Sequence, residues 1–121
     1  MKKLLLVDDE PTNLNLLREI LREQYQLLFA TSGEDAIEAA QRHHPDLILL
    51  DVSMPGMDGF EVCRRLQSAA DTAPIPILFV TAMAGDEELA PGNRPSVAGV
   101  VAKPVSRQDV LEKVAAACGA A

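Results

Sequence analysis

The stretch "DLILLDVSMPGMDG", residues 46–59, decides the fold class. Its apolar run is too short for a typical helix and is uninterrupted, which is the pattern of a strand buried on both faces of a sheet. Asp51 follows the run directly, and the Pro-Gly pair behind it marks a turn before a helix-period segment begins at Gly59. A buried strand that turns into a helix is one half of a parallel strand–helix–strand unit.

The same alternation of strand and helix recurs along the chain. The other short apolar runs are "KKLLLV" (2–7), "QLLFA" (26–30), "IPILFV" (75–80) and "AGVVA" (98–102). Four helices are expected between and after these runs. The first begins with Pro11 and the second is capped by Ser32 with Asp35. The third covers 59–70 and the fourth is capped by Ser106 with Asp109. Right-handed crossovers between five such strands predict an α/β fold, a flavodoxin-like doubly wound parallel sheet with strand order 2-1-3-4-5.

Length and charge narrow the class of protein. A chain of 121 residues suits one domain, 1–121, with a core of its own. The net charge of −7 offers no electrostatic footprint for nucleic acid or for an anionic membrane, so we expect neither as a direct partner. The apolar run of "MKKLLLV" is too short for a signal peptide, which predicts a cytoplasmic protein.

Polar residues follow four of the predicted strands. In open α/β sheets, ligands bind at the carboxyl ends of the strands, so these side chains should meet at one edge. They are Asp8, Asp9 and Glu10 after the first strand, Asp51 after the third, Thr81 after the fourth, and Lys103 with Pro104 after the fifth. Clustered carboxylates repel one another unless a cation is present, and all-oxygen ligands with room for water and phosphate favour Mg²⁺. The sequence therefore predicts a metal-dependent phosphate site.

Each of these residues also has an ordinary structural interpretation. Asp8 and Asp9 could cap the first helix, Asp51 could be a turn acid, Thr81 could be a strand-end hydroxyl, and Lys103 could be a solvated surface lysine. Their joint placement at the ends of predicted strands is what favours the functional interpretation over four separate ordinary ones.

At this point the sequence resembles the receiver domains of two-component response regulators, of which CheY is a representative. The resemblance rests on "LLLVDDEPTNLNLL", "HHPDLILLDVSMPGMDGFEVCRRLQ", "PILFVTAMAG" and "VVAKPVS". It implies that Asp51 is the phosphoacceptor, and that Asp9, Asp51 and the backbone carbonyl of Ser53 hold Mg²⁺. It further implies that Asp8 acts through a metal-bound water.

The resemblance also implies roles for the last two strand ends and for partners. Thr81 and Lys103 would contact the phosphoryl oxygens, and a cis bond before Pro104 would direct Lys103 toward the site. The implied donor is a histidine kinase or a histidine phosphotransfer protein, and a downstream protein that the sequence does not identify would receive the signal. The domain would catalyse only its own phosphorylation and dephosphorylation.

Three features depart from the family pattern. The family places a helix between strands 4 and 5, but Pro91, Gly92 and Pro95 would cost a helix over 86–97 roughly 7 kcal/mol, so we expect that helix to be short or disordered. Val100 stands where the family usually has a Tyr or Phe that changes position on activation. Ala98-Gly99 lacks the acidic residues of one common dimer interface, which favours a monomer or a weak dimer. We therefore expect signalling through Thr81 and a reordering of segment 82–97.

Other classes of protein remain as alternatives. A pseudo-receiver that acts only as a protein-interaction module is the main one. A metal-dependent phosphatase would carry an Asp-x-Asp pair and a cap insertion, whereas this chain has adjacent Asp8 and Asp9. A flavin or nucleotide binder would have a Gly-rich or Ser/Thr-rich loop after the first strand, where this chain has "DDEPTN".

Overall fold

A computed structural model describes residues 1–83 and 96–118. Within those residues, five parallel strands form one sheet in the order β2-β1-β3-β4-β5, which confirms the predicted fold. In chain order the described elements are β1 Lys3–Val7, α1 Pro11–Leu21, β2 Gln26–Ala30, α2 Gly33–His43, β3 Leu47–Asp51, α3 Gly59–Gln67, β4 Ile77–Thr81, β5 Val97–Ala102 and α4 Arg107–Cys118.

The two faces of the sheet bury two separate apolar clusters, which explains the uninterrupted apolar runs. Along β3, Ile48 and Leu50 point into the cluster covered by α2 and α3, whereas Leu47 and Leu49 point into the cluster covered by α1 and α4. Because successive strand residues face opposite sides, a strand covered on both faces has no position left for a polar residue until it ends. All five residues of β3 are buried, Asp51 among them.

The predicted helix caps are present at α2 and α4. The Ser32 hydroxyl accepts a hydrogen bond from the backbone N–H of Asp35 at 3.2 Å, and the Ser106 hydroxyl accepts one from Asp109 at 3.1 Å. The cap of α3 was not predicted: the Asp58 carboxylate accepts from the backbone N–H of Glu61 at 2.9 Å. These contacts fix where the three helices begin.

Helix α3 ends at Gln67, so its predicted extent to residue 70 was wrong. In a longer helix the carbonyl of Leu66 would accept from the backbone N–H of residue 70. Instead, that carbonyl accepts a hydrogen bond from the buried Thr72 hydroxyl at 2.6 Å. The Thr72 hydroxyl and the Ala69 N–H, at 3.4 Å, thus occupy the backbone acceptor that a longer helix would use.

The segment 86–97, where a short or disordered helix was expected, lies mostly outside the described residues; the description resumes at Ser96, and β5 begins at Val97. None of the described helices is long and apolar enough to cross a membrane.

Candidate functional site

Three carboxylates meet at the carboxyl ends of two neighbouring strands. Asp8 and Asp9 follow β1, Asp51 ends β3, and the pairing of Val7 with Leu50 places these ends side by side. One carboxylate oxygen of each residue lies within 4.8 Å of the others. Asp8 and Asp51 are buried, and Asp9 is half-buried. Neither Asp8 nor Asp9 caps α1, because the N-cap position belongs to Glu10 and lacks a side-chain cap bond.

Lys103 reaches this carboxylate cluster from the end of β5. Its Nζ lies 3.1 Å from Asp8 Oδ2 and 3.2 Å from Asp51 Oδ1, so one ammonium bridges two buried acids. The backbone N–H of Lys103 donates to the carbonyl of Thr81 at 2.9 Å, which fixes the lysine to the end of β4. The peptide bond between Lys103 and Pro104 is cis.

Backbone donors orient the two buried carboxylates. The N–H of Glu10 donates to Asp8 Oδ1 at 2.9 Å, and the N–H of Ser53 donates to Asp51 Oδ1 at 3.3 Å. Each bond spans two residues, so the chain turns back over its own acid immediately after the strand. The second of these turns brings Ser53 to the edge of the site.

Thr81 completes the site on the β4 side. It is buried, and its Oγ1 accepts a hydrogen bond from the backbone N–H of Met83 at 3.1 Å. A cavity of about 510 Å³ opens between these strand ends. Its lining residues are Glu10, Asn13, Asp51, Ser53, Thr81, Ala82, Lys103 and Pro104. A phosphoryl group and several waters would fit in this space, directly over Asp51.

Comparison with known proteins shows the family of this chain. The family model described as "Response regulator receiver domain" matches residues 4–115. The chain belongs to this family. It is 33% identical over 115 residues to the protein PilH of Pseudomonas aeruginosa, with 94% of this chain and 95% of PilH covered. The chemotaxis protein CheY4 of Vibrio cholerae superposes with a TM-score of 0.89 at 28% identity, covering 97% of this chain and 98% of CheY4.

A third relative bears on the metal. The receiver domain of a sensor histidine kinase from Pseudomonas aeruginosa, 25% identical, superposes with a TM-score of 0.85 over 98% of both chains. That structure has a magnesium ion coordinated in its active-site cleft. In this chain the Asp8–Asp9–Asp51 cluster offers only oxygen donors, which are the donors a hard cation such as Mg²⁺ prefers. The residues present in this receiver domain therefore fit the ion.

Burial and charge shift the pKa values of the two central groups. Burial raises the pKa of the Asp51 carboxyl, and the nearby charge of Asp8 raises it further, while Lys103 offsets part of the shift. For Lys103, burial lowers the pKa, but the hydrogen bond to Asp8 and the charges of Asp8 and Asp51 outweigh burial and raise it. Lys103 is therefore a permanent cation at neutral pH, and the ionised form of Asp51 is held at a cost.

Because ionised Asp51 is unfavourable in its buried position, we expect Asp51→Asn to stabilise the metal-free fold near neutral pH. Because the folded pKa of Asp51 lies above its ordinary value of 3.8, the folded state binds this proton more tightly than the unfolded state does. The contribution of Asp51 to stability is thus present below 3.8 and lost as pH rises through the folded pKa. Urea unfolding with chelator, as a function of pH, should show a gain for the variant at neutral pH that disappears in acid. A variant less stable than wild type at neutral pH would contradict this prediction.

The structure brings together every site residue named from the sequence: Asp8, Asp9, Asp51, Ser53, Thr81, Lys103 and Pro104 all border the carboxylate cluster or the cavity above it. Asn13 was missed. It lines the cavity from the first turn of α1, three residues after Glu10, and that helical spacing was the signal that could have identified it.

Proposed function

We propose that Asp51 accepts a phosphoryl group from the phosphohistidine of a histidine kinase or a histidine phosphotransfer protein. The observation that carries this proposal is the position of Asp51, a buried carboxylate under an open cavity, with a lysine ammonium 3.2 Å away. An Asp51 oxygen attacks phosphorus while the P–N bond of the donor breaks, and the bonding electrons leave with the imidazole nitrogen. Transfer of a labelled phosphoryl group from a phosphorylated kinase tests this, and a wild-type chain that stays unlabelled would refute it.

Lys103 and Thr81 would stabilise the group in transfer. Negative charge spreads over the three equatorial oxygens of the phosphoryl group during transfer, and fixed donors aimed at those oxygens lower the barrier. The Lys103 ammonium, between Asp8 and Asp51, is placed to pair with one oxygen. The Met83 N–H holds Thr81 Oγ1 in its present position, and the hydroxyl proton could be donated to another oxygen once the side chain turns toward the group. Both residues lie at the edge of the cavity, within reach of a phosphoryl group bound there.

Asp9, Asp51 and the backbone carbonyl of Ser53 would hold Mg²⁺, with Asp8 acting through a bound water. When bound, the ion would neutralise the repulsion among the carboxylates and the charge of the phosphoryl oxygens. The three carboxylates within 4.8 Å of one another support this assignment.

Magnesium should therefore raise the thermal stability of the wild-type chain. A ligand that binds only the folded state at 100 times its Kd adds about 2.7 kcal/mol to the free energy of unfolding. We expect Mg²⁺ to raise Tm, excess chelator to reverse the rise, and Asp9→Asn to remove most of it. As a control, Asp71→Asn changes an exposed acid outside the carboxylate cluster and should leave the Mg²⁺ response intact. An equal Mg²⁺ response in Asp9→Asn and wild type would argue against the assigned ligands.

The signal is proposed to leave the site through Thr81 and segment 82–97. A Thr81 side chain that turns toward the phosphoryl group would give up its bond from the Met83 N–H, since that bond sets the present position of the hydroxyl. Most of the segment lies outside the described residues, but its flanks, 82–83 and 96–97, are described. We expect amide hydrogen exchange at both ends to change when beryllofluoride and Mg²⁺ are added, whereas Leu21 in α1 should stay constant. Identical exchange in both states would contradict this route.

The pseudo-receiver alternative is not favoured by the geometry. A module that only binds proteins needs no ammonium bridging two buried acids, because such an arrangement is costly to bury and offers little net stability. The proposed downstream partner is a protein that responds to the change at Thr81 and in segment 82–97.

A further inference from the structure

Gly59, the first residue of α3, lies against the backbone of the residue proposed to be phosphorylated. A Cβ atom placed on Gly59 would be 2.5 Å from the carbonyl oxygen of Asp51 and 2.8 Å from the Cα of Val52. The backbone N–H of Gly59 donates to the carbonyl of Val52 at 2.9 Å, so a hydrogen bond also joins the two backbones. The start of the helix is thus in direct contact with the acceptor's own peptide group.

A side chain at this position cannot be accommodated by a rotamer change. Ordinary carbon contacts begin at about 3.5 Å, so the two backbones would have to separate by about 1 Å. The end of β3 has little freedom to move sideways, because Leu50 and Asp51 are paired with β4 and Leu50 also with β1. The part that can move is the turn that follows, which carries Val52 and Ser53.

We propose that Gly59 is a positioning residue for the phosphorylation site: the absence of a side chain lets α3 press on the Asp51–Ser53 backbone and hold the acceptor carboxylate and the Ser53 carbonyl in place. This inference rests on the proposed function of Asp51. The Ser53 N–H bond to Asp51 Oδ1, at 3.3 Å, depends on the same short turn. Any displacement of the turn therefore moves the carboxylate and the neighbouring carbonyl together.

A side chain at position 59 should change phosphorylation and Mg²⁺ binding strongly, because both depend on the positions of the Asp51 carboxylate and the Ser53 carbonyl. A displacement of about 1 Å in a reacting group can lower a rate about 100-fold. Mg²⁺ requires nearly ideal octahedral ligand positions, so a displaced Ser53 carbonyl should also weaken its binding. A residue that served only to pack the helix would change stability and leave both of these properties at their wild-type values.

The test compares Gly59→Ala with Gly33→Ala. Gly33 is the matched control because it also is a buried glycine at the start of a helix, and the three atoms nearest its added Cβ are side-chain atoms of Met57 and Val62, at 2.9 Å. Three measurements are made on the full chain: backbone amide shifts of Asp51, Val52 and Ser53 without metal, Mg²⁺ affinity from titration of those shifts, and the rate of phosphorylation. Urea unfolding gives the stability of each variant.

For Gly59→Ala we expect shifted amides at all three positions, Mg²⁺ affinity lower by at least about tenfold, and phosphorylation slower by about 100-fold. Gly33→Ala should lose stability and keep wild-type Mg²⁺ affinity and rate. If Gly59→Ala is not folded in buffer, the titrations are made in a stabilising osmolyte. Wild-type Mg²⁺ affinity in Gly59→Ala, equal losses in both variants, or a Gly59→Ala chain unfolded even in osmolyte would overturn the positioning role.

These outcomes are separable from a failure of the proposed function. The amide shifts of metal-free Gly59→Ala require neither Mg²⁺ nor a phosphodonor, so they test the contact by itself. A wild-type chain that is never phosphorylated would refute the proposed function and leave the shifts unaffected. A wild-type chain that is phosphorylated, with unchanged shifts and Mg²⁺ affinity in the variant, would refute the role of Gly59 alone.

Discussion

Asp51→Asn is expected to abolish phosphorylation of this chain, with labelling from a phosphorylated kinase falling to the background of a chain-free control. The amide has nearly the shape of the carboxylate and can still accept from the Ser53 N–H, which lies 3.3 Å from Asp51 Oδ1. It lacks the negative oxygen that attacks phosphorus and that would help to hold Mg²⁺, so the reaction is lost while the fold is kept. Rapid quenching and counting of protein-bound label measure the effect.

The matched control for this variant is Asp58→Asn. Asp58 lies in the same turn between β3 and α3, is exposed, and caps α3 through the backbone N–H of Glu61. Asn is an equally good N-cap residue, so the control should fold and be labelled at the wild-type rate. Substantial labelling of Asp51→Asn would mean that another residue accepts the phosphoryl group, and the assignment of Asp51 would be wrong.

Lys103→Met is expected to damage both the reaction and the fold. The loss of a fixed donor that faces developing charge typically lowers a rate by about 10²–10³. Removal of one partner from a buried ion pair costs about 3–5 kcal/mol because a buried charge is left uncompensated, and here Asp8 and Asp51 both lose the ammonium. The two effects can be separated, because Mg²⁺ should restore part of the stability but not the rate. Urea unfolding with and without Mg²⁺, together with the labelling rate, makes both measurements.

Lys113→Met provides the control for Lys103→Met. Lys113 lies on α4, and its Nζ is 3.1 Å from Asp109 and 2.7 Å from the carbonyl of Val100. Its side chain is 41% exposed, so loss of this ion pair should cost at most about 1 kcal/mol. We expect a wild-type labelling rate for this control. Equal effects of the two lysine substitutions would remove the special role assigned to Lys103.

The fold could be predicted from the sequence because the central strands β1, β3 and β4 are covered on both faces. The uninterrupted apolar runs at β3 and β4 are typical of strands in a parallel sheet with helices on both faces. The Ser32 and Ser106 caps are hydrogen bonds between residues three positions apart, so the sequence alone indicates them. The end of α3 could not be predicted in the same way. It depends on the Thr72 hydroxyl, which reaches the Leu66 carbonyl only after the chain has turned back.

The positions of the site residues could also be predicted from the sequence, whereas the contacts between them could not. Parallel strands place their carboxyl ends at one edge, so the positions of Asp8, Asp51 and Lys103 follow from the order of elements. The bridge from Lys103 to both acids joins residues up to 95 positions apart, and no local pattern specifies it. The contact of Gly59 with Asp51 is of the same kind, because a missing side chain carries no signal until its neighbours are known.

Direct location of the phosphoryl group on the wild-type chain tests the central claim most simply. The chain is incubated with Mg²⁺ and a phosphorylated histidine kinase, the acyl phosphate is reduced with borohydride to homoserine, and peptide mass spectrometry locates the converted residue. The account predicts conversion at Asp51 and none at Asp8 or Asp9, in a reaction that chelator prevents. Conversion at either of those two acids, or no conversion with a donor that phosphorylates another receiver domain, would contradict it.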